Sequence, residues 1–318
     1  MQTTQPAVMD SFNPNVDYSG WFQTSKGEAR GYINFEQLKE LWFNTGTICN
    51  LSCPDCFEHS GPGVHRLGMI SFEDAKPLID EAVSLGVKQF SFTGGEPFII
   101  KDLVKILDYA LDFAPCLVLT NGTKPLLKRF EQLKSLQGKV HNISFRISLD
   151  FPDAERHDKI RGDGMFDLAL DSLKKLHDSG FTVSVARRRL DKEISFMVDN
   201  QYAEVLVERG LPAETIIISF PDLEQQGAPE ITTNCMTKYH TENSRSQFMC
   251  AFSRMVVKKD GKMRVYACTL VDEDEKYDFG STLTDSMKVK TMLQHERCYT
   301  CFGGGMSCSE LDKRNGKQ

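Results

Sequence analysis

No stretch of this 318-residue chain approaches the roughly 18 consecutive apolar residues of a membrane-spanning helix, so no membrane partner is expected. An export signal is missing as well. The first thirty residues have neither a basic start nor an apolar centre, which predicts a cytoplasmic protein. Excess positive charge is lacking: 38 Lys and Arg face 44 Asp and Glu, a net charge of −6. That leaves no basic surface for phosphates, so nucleic acid is not an expected partner. Neither a solenoid-length repeat nor a low-complexity tract is present. Cysteine is not scarce: there are 10. In a reducing compartment, clustered cysteines point to metal ligands rather than disulfides.

Between residues 41 and 220, apolar runs alternate with amphipathic ones. Strands are expected at 41–47, 88–94, 116–121, 141–150, 181–187 and 214–220. Helices are expected at 71–86, 101–114, 124–136, 166–180 and 199–210. Ser71 with Asp74 reads as a helix N-terminal cap and Gly86 as a stop, while Pro77 predicts an irregular first turn. Strand-then-helix units imply parallel strands with helical crossovers. Six such units fall short of the eight that close a TIM barrel, so the expected fold is α/β, a partial (β/α)6 TIM-like barrel. After residue 221 the chain turns polar and rich in Pro and Gly, as a linker or long loop would be.

The stretch "CNLSCPDC" carries Cys49, Cys53 and Cys56 directly after the first strand. Catalytic groups of parallel α/β barrels sit at such strand ends. Three thiolates at this spacing can wrap one corner of a [4Fe–4S] cluster and leave one iron open to a small ligand. The alternative is a structural zinc site with His59 or His65 as fourth ligand. "TGGEP" (93–97) follows the second strand, where two glycines let a ligand approach the backbone.

The two motifs in this order, at successive strand ends, resemble the radical S-adenosylmethionine (SAM) enzymes over residues 41–220. The resemblance implies that Cys49, Cys53 and Cys56 ligate a [4Fe–4S] cluster whose open iron takes the amino and carboxylate groups of SAM. Reductive cleavage would then give a 5′-deoxyadenosyl radical that abstracts a substrate hydrogen. Gly94, Gly95 and Glu96 match the segment that binds the methionine end of SAM. Ser148 and Asp150 match the position approaching its ribose or carboxylate, and "RHDKIRG" (156–162) resembles a stretch common after that strand. Asn121 and Arg187, ending the third and fifth strands, are expected at the same mouth. Arg187 is read either as a clamp on the SAM carboxylate or as a solvated member of the "RRR" run. The family usually has an aromatic residue just before the third cysteine; Asp55 stands there, and Phe57 is the expected substitute against adenine.

Five more cysteines fall within 250–308. "VVKKDGKMRVYAC" reads as a β-hairpin around "KDGK", closed by Cys268. Cys298 and Cys301 form C-x2-C. By themselves these residues also describe a zinc ribbon. With the first domain, they resemble the SPASM and twitch subgroups, which carry auxiliary iron–sulfur clusters. The resemblance implies one auxiliary [4Fe–4S] cluster on Cys250, Cys268, Cys298 and Cys301, with Cys308 as a replacement ligand. Cys116 is expected in the core, and Cys235 has no assigned role.

The expected organisation is an N-terminal extension (1–40), a radical SAM core (41–220), a linker (221–249) and a small cysteine-rich hairpin and helix domain (250–318). The expected function is hydrogen abstraction from a small molecule such as a sugar, cyclitol or nucleoside, the auxiliary cluster serving oxidation or substrate binding. A low-potential donor such as flavodoxin or ferredoxin would supply electrons. Only about forty residues precede the first strand, which looks short for the recognition domain of a peptide maturase, so that reading stands second. A non-catalytic iron–sulfur or zinc scaffold is the third.

Overall fold

The computed structural model describes residues 15–190, 192–221 and 227–304. Six strands follow the expected alternation: β2 (Glu40–Asn44), β3 (Gln89–Thr93), β4 (Cys116–Thr120), β5 (Ile143–Ser148), β6 (Thr182–Arg189) and β7 (Ile216–Pro221), preceded by a short β1 (Tyr32–Ile33). They lie parallel and in sequential order, as a partial barrel winds. Between them run α1 (Phe72–Ser84), α2 (Leu103–Ala110), α3 (Lys124–Lys134), α4 (Ala154–Arg161), α5 (Met165–Asp178) and α6 (Ser195–Glu208). Among the described residues no helix is long and apolar enough to cross a membrane.

Alternation along each strand separates two environments. Leu41, Phe43, Phe90, Phe92, Cys116, Val118, Phe145, Ile147, Val183 and Val185 face the helix layer and pack in one cluster with Ile79, Leu107, Leu133 and Leu173. The opposite parity lines the barrel interior and is partly polar: Gln89 Nε2 and Ser91 Oγ both donate to Glu40 Oε1, at 2.8 and 2.5 Å. With both faces covered, the strands read as apolar runs.

The Ser71 cap forms as a reciprocal pair: Asp74 N donates to Ser71 Oγ (3.2 Å) and Ser71 N donates to the Asp74 carboxylate (2.8 Å). That box holds the first turn, so α1 stays helical through Pro77 and the expected irregularity is absent.

The hairpin is present as β8 (Ser253–Lys259) and β9 (Lys262–Tyr266), and Asp260 and Gly261 both take the positive φ that a two-residue turn requires. Its place is the barrel edge. β8 pairs in parallel with β2, Leu41 opposite Arg254, giving the sheet order β7-β6-β5-β4-β3-β2-β8-β9. A two-stranded antiparallel ladder of β1 with β10 (Thr291–Met292) ties the N-terminal segment to the C-terminal one. Part of the expected linker is folded: Thr232 Oγ1 accepts from Cys235 N and starts α7 (Thr233–Tyr239), with Ile231 and Met236 buried.

Candidate functional site: two cysteine centres on one sheet

The chain leaves β2 and returns across the end of β3. Thr45 N and Oγ1 both donate to Thr93 O, Gly95 N donates to Gly46 O at 2.8 Å, and Glu96 N donates to Ile48 O at 3.1 Å. The strap at 93–97 therefore runs against the backbone just before Cys49. A Cβ on Gly94 would meet Gly46 O at 2.7 Å, and one on Gly95 would meet Ile48 O at 2.3 Å. The glycines are required by the approach of the cysteine loop itself, whereas the sequence reading ascribed them to the approach of a ligand.

Cys49, Cys53 and Cys56 follow in that loop. Cys49 is buried, and Asn121 reaches it from the end of β4, its Nδ2 lying 3.7 Å from Cys49 Sγ and 3.0 Å from Asn50 Oδ1. Leu51 N donates to Cys49 Sγ and Ser60 N to Cys56 Sγ, each at 3.4 Å. Amide donors to two of three clustered sulfurs suit thiolates that bind a metal. Burial pushes the Cys49 thiol up to about 11 and also raises Cys53, against the pull of Arg161. Compensation from a cation is what such thiols need in order to ionise. Among the described residues no three His, Cys, Asp or Glu side chains are drawn together as for a single ion. His59 and His65, the fourth ligands of the zinc reading, are exposed.

Glu96 is turned inward. Its carboxylate accepts from Thr120 Oγ1 (2.8 and 2.9 Å), Asn121 N (2.9 Å) and Phe98 N (3.1 Å), tying β3 to β4 behind the cysteines. Burial nonetheless lifts its pKa from 4.5 to about 7. A raised carboxyl pKa adds stability that is complete below pH 4.5 and is lost as pH rises through about 7, about 3 kcal/mol at most. Glu96→Gln has no such titration. The difference in melting temperature, wild type minus variant, is expected to fall by several degrees between about pH 5 and about pH 8, read by thermal unfolding.

Asp150 is engaged by Arg161, whose Nε and Nη2 donate to its two oxygens at 2.6 and 2.9 Å. That pair holds the Asp150 carboxyl below its usual range despite burial, and the Arg161 charge acts on both Cys53 and Cys56. His157, one helical turn before Arg161 on α4, accepts from Asp150 N through Nδ1, and burial drops its pKa to about 4. Arg161 is the cation beside the cysteines that the sequence reading missed. Its signal was the i, i+4 spacing of His157 and Arg161 within "RHDKIRG".

Arg187 is not at the mouth. It shares parity with Val183 and Val185 and so faces the helix layer, donating to Glu193 (2.5 Å) and Asp199 (2.7 Å). Nor is it a solvated member of the run, being 1% exposed. Arg188, of opposite parity, is the one that reaches the cysteine loop, 3.2 Å from Asp55. Ser148 lies on the interior parity at the end of β5. Phe57, the expected adenine contact, has one ring face covered by the Arg297 guanidinium at 4.2 Å.

The second centre lies behind the hairpin. Cys250, Cys268, Cys298 and Cys301 line one cavity of about 380 Å³, its mouth included, with Phe248, Leu270 and Arg297 among its walls. The short helix Met249–Phe252 delivers Cys250, β9 leads to Cys268, and the helix Cys298–Gly304 carries the other two. Burial pushes Cys250 up to about 11 and Cys298 up to about 12. Four thiols around a buried, mostly apolar space form a donor set fit for an iron–sulfur cluster. Cys308 lies outside the described residues. Cys116 is core, as expected, and Cys235 packs partly buried against the small cluster of Ile33, Ile231, Met236 and Phe248.

A polar bridge joins the two centres. Asn44 Nδ2 donates to Glu58 (2.9 Å) and Asp272 (3.4 Å), and Arg66 donates to Asp272 (3.1 Å). Next to Asp272, Glu273 pairs with Arg297 at 3.0 Å.

Residues 43–188 match the family model described as the radical SAM superfamily. That region, which holds the cysteine loop and the glycine strap, is a radical SAM domain. Its cofactors are accordingly a [4Fe–4S] cluster and SAM, and the cysteine-rich C-terminus is consistent with the SPASM/twitch kind. Among curated relatives, the radical SAM region is 38% identical over 148 residues to the antilisterial bacteriocin subtilosin biosynthesis protein AlbA of Bacillus subtilis, covering 46% of this chain and 32% of that one. It is 32% identical over 161 residues to the mycofactocin maturase MftC of Mycolicibacterium smegmatis, covering 50% and 38%. The chain thus matches between about a third and two fifths of these relatives' lengths. Streptococcus suis SuiB bound to the precursor peptide SuiA shares the fold, with a TM-score of 0.56, 14% identity, and 80% and 65% coverage.

Proposed function

We propose that this radical SAM enzyme is a maturase of a ribosomally made peptide, forming a carbon–carbon or thioether cross-link. The observation that carries the reading is the 38% identity of its cysteine-loop region to a bacteriocin biosynthesis protein, supported by the similarity to a maturase and by the shared fold of a protein bound to its precursor peptide. The expected small-molecule substrate finds no support in these similarities, and the peptide reading, placed second from the sequence, fits them better.

In this reading Cys49, Cys53 and Cys56 hold the first cluster, and Cys250, Cys268, Cys298 and Cys301 the auxiliary one. When bound, the first cluster supplies the electron that splits SAM and yields the hydrogen-abstracting radical. The strap at Gly94, Gly95 and Glu96 fixes the cysteine loop on β3 and β4. Asn121 orients Cys49, and Arg161, held by Asp150, offsets the negative charge at Cys53 and Cys56. Ser148 faces the interior where SAM would lie. Electrons would come from a low-potential donor of the flavodoxin or ferredoxin type.

Anaerobic reconstitution should give about eight irons per chain. Incubation with SAM, dithionite and a precursor peptide carrying deuterium at its side-chain carbons should move deuterium into 5′-deoxyadenosine and leave the peptide short of two hydrogens. Turnover of SAM with no change in any such peptide, alongside deuterium transfer from a labelled sugar or nucleoside, would reject the maturase reading.

A further inference from the structure

We infer that Arg254 and Arg30 set the charge of the four-cysteine cavity, and so hold up the reduction potential of a cluster bound there. This rests on the reading of the cavity as an iron–sulfur site.

Arg254 is 0% exposed. Its Nη1 donates to Cys250 O and Ser253 O at 2.9 Å, and to Ala267 O at 3.5 Å. Its Nη2 donates to Ser286 O at 3.0 Å. The guanidinium therefore grips the backbone at Cys250 and at the residue before Cys268, between the first two cysteines of the cavity. Phe35 and Phe279 lie over it, at 4.0 and 5.5 Å from their ring centres. Its Nε has no hydrogen-bond partner.

Arg30 stands on another side, 2% exposed. It donates to Gly20 O (2.7 Å), Pro229 O (2.5 Å), Gln23 O (3.0 Å) and Leu293 O (3.3 Å), and Leu293 lines the cavity. Its charge acts on Cys298. Neither arginine has a carboxylate within ion-pair distance among the described residues. The equally buried Arg187 has two.

A buried cation needs a compensating anion. Backbone carbonyls accept from Arg30 and from the two Nη atoms of Arg254 but leave both charges in place. The anionic group that both adjoin is the four-thiolate site. An iron–sulfur cluster on four thiolates carries net negative charge, more in its reduced form, so neighbouring buried cations favour reduction. This separates the second centre from the first, where Arg161 is already paired with Asp150.

The test is an anaerobic redox titration, followed by electron paramagnetic resonance, of the full chain loaded with both clusters. The auxiliary signal is identified as the one that SAM leaves unchanged. In Arg254→Gln and in Arg30→Gln its midpoint is expected to move to more negative potential, and further in the double variant. Arg254→Lys should keep the wild-type midpoint. Phe35→Glu, a half-buried position over the Arg254 guanidinium, neutralises that charge without removing the arginine, and its midpoint should also fall. It serves if the glutamine variants do not fold. Unchanged midpoints in glutamine or glutamate variants with full iron content overturn the inference. A wild-type chain that binds only about four irons overturns instead the reading of the cavity.

Discussion

Cys53→Ala is expected to remove the first cluster and, with it, all SAM cleavage. Cys53 is the middle ligand of the loop, so its loss leaves Cys49 and Cys56, and two thiolates do not hold a cluster that already leaves one iron open. No described side chain stands ready to replace it: His59 and His65 are exposed, and Asp55 is committed to Arg188. Iron should fall from about eight to about four per chain, because the cavity ringed by Cys250, Cys268, Cys298 and Cys301 is untouched. Formation of 5′-deoxyadenosine should drop by at least about a thousandfold, to the level of the uncatalysed control. Cys116→Ala is the matched control. That thiol sits on the helix-facing side of β4, so its removal should cost about 1 kcal/mol of packing and leave the iron count unchanged. Wild-type yields of 5′-deoxyadenosine from Cys53→Ala would place the chemistry elsewhere.

The barrel was legible because parallel strands covered on both faces write themselves as apolar runs, and the intervening helices carry a 3.6-residue period. The cysteine loop and the "TGGEP" strap were legible because both are local motifs at strand ends, and the four auxiliary cysteines that the resemblance implied do line one cavity. What escaped was set by parity and by distance along the chain. Arg187 and Arg188 differ by one position, and the alternation begun by Val183 and Val185 sends the first to the helices and the second toward Asp55. Reading that alternation to its end would have exchanged their roles. The parallel pairing of β8 with β2, and the Arg297 guanidinium over Phe57, join residues more than two hundred positions apart. Neither strand pairing nor a cation over a ring leaves a local pattern, so no window of sequence could show them.

The glycine strap makes the most demanding use of close approach, and Gly95→Ala should cost as much as truncating a large core side chain. Its added Cβ would lie 2.3 Å from Ile48 O and 2.6 Å from Ile48 C. Both are backbone atoms, so no rotamer can relieve the contact; either the strap or the loop must move. The strap is fixed by Glu96, whose carboxylate holds Thr120, Asn121 N and Phe98 N. The loop is therefore the part that yields, and the residue after Ile48 is Cys49. Displacing it breaks the 2.8 and 3.1 Å bonds from Gly95 N and Glu96 N and withdraws Cys49 from Asn121. A loss of about 3 kcal/mol is expected, a drop in melting temperature of several degrees. Iron at the first site should fall with it, while the four-cysteine cavity keeps its own. Gly63→Ala is the comparison. Gly63 has a φ of +75° but nothing within 4 Å of a new Cβ, so Gly63→Ala adds a backbone strain that Gly95→Ala does not and makes no collision; it should retain full iron. If Gly95→Ala loads and melts as Gly63→Ala does, the strap does not set the position of the first cysteine.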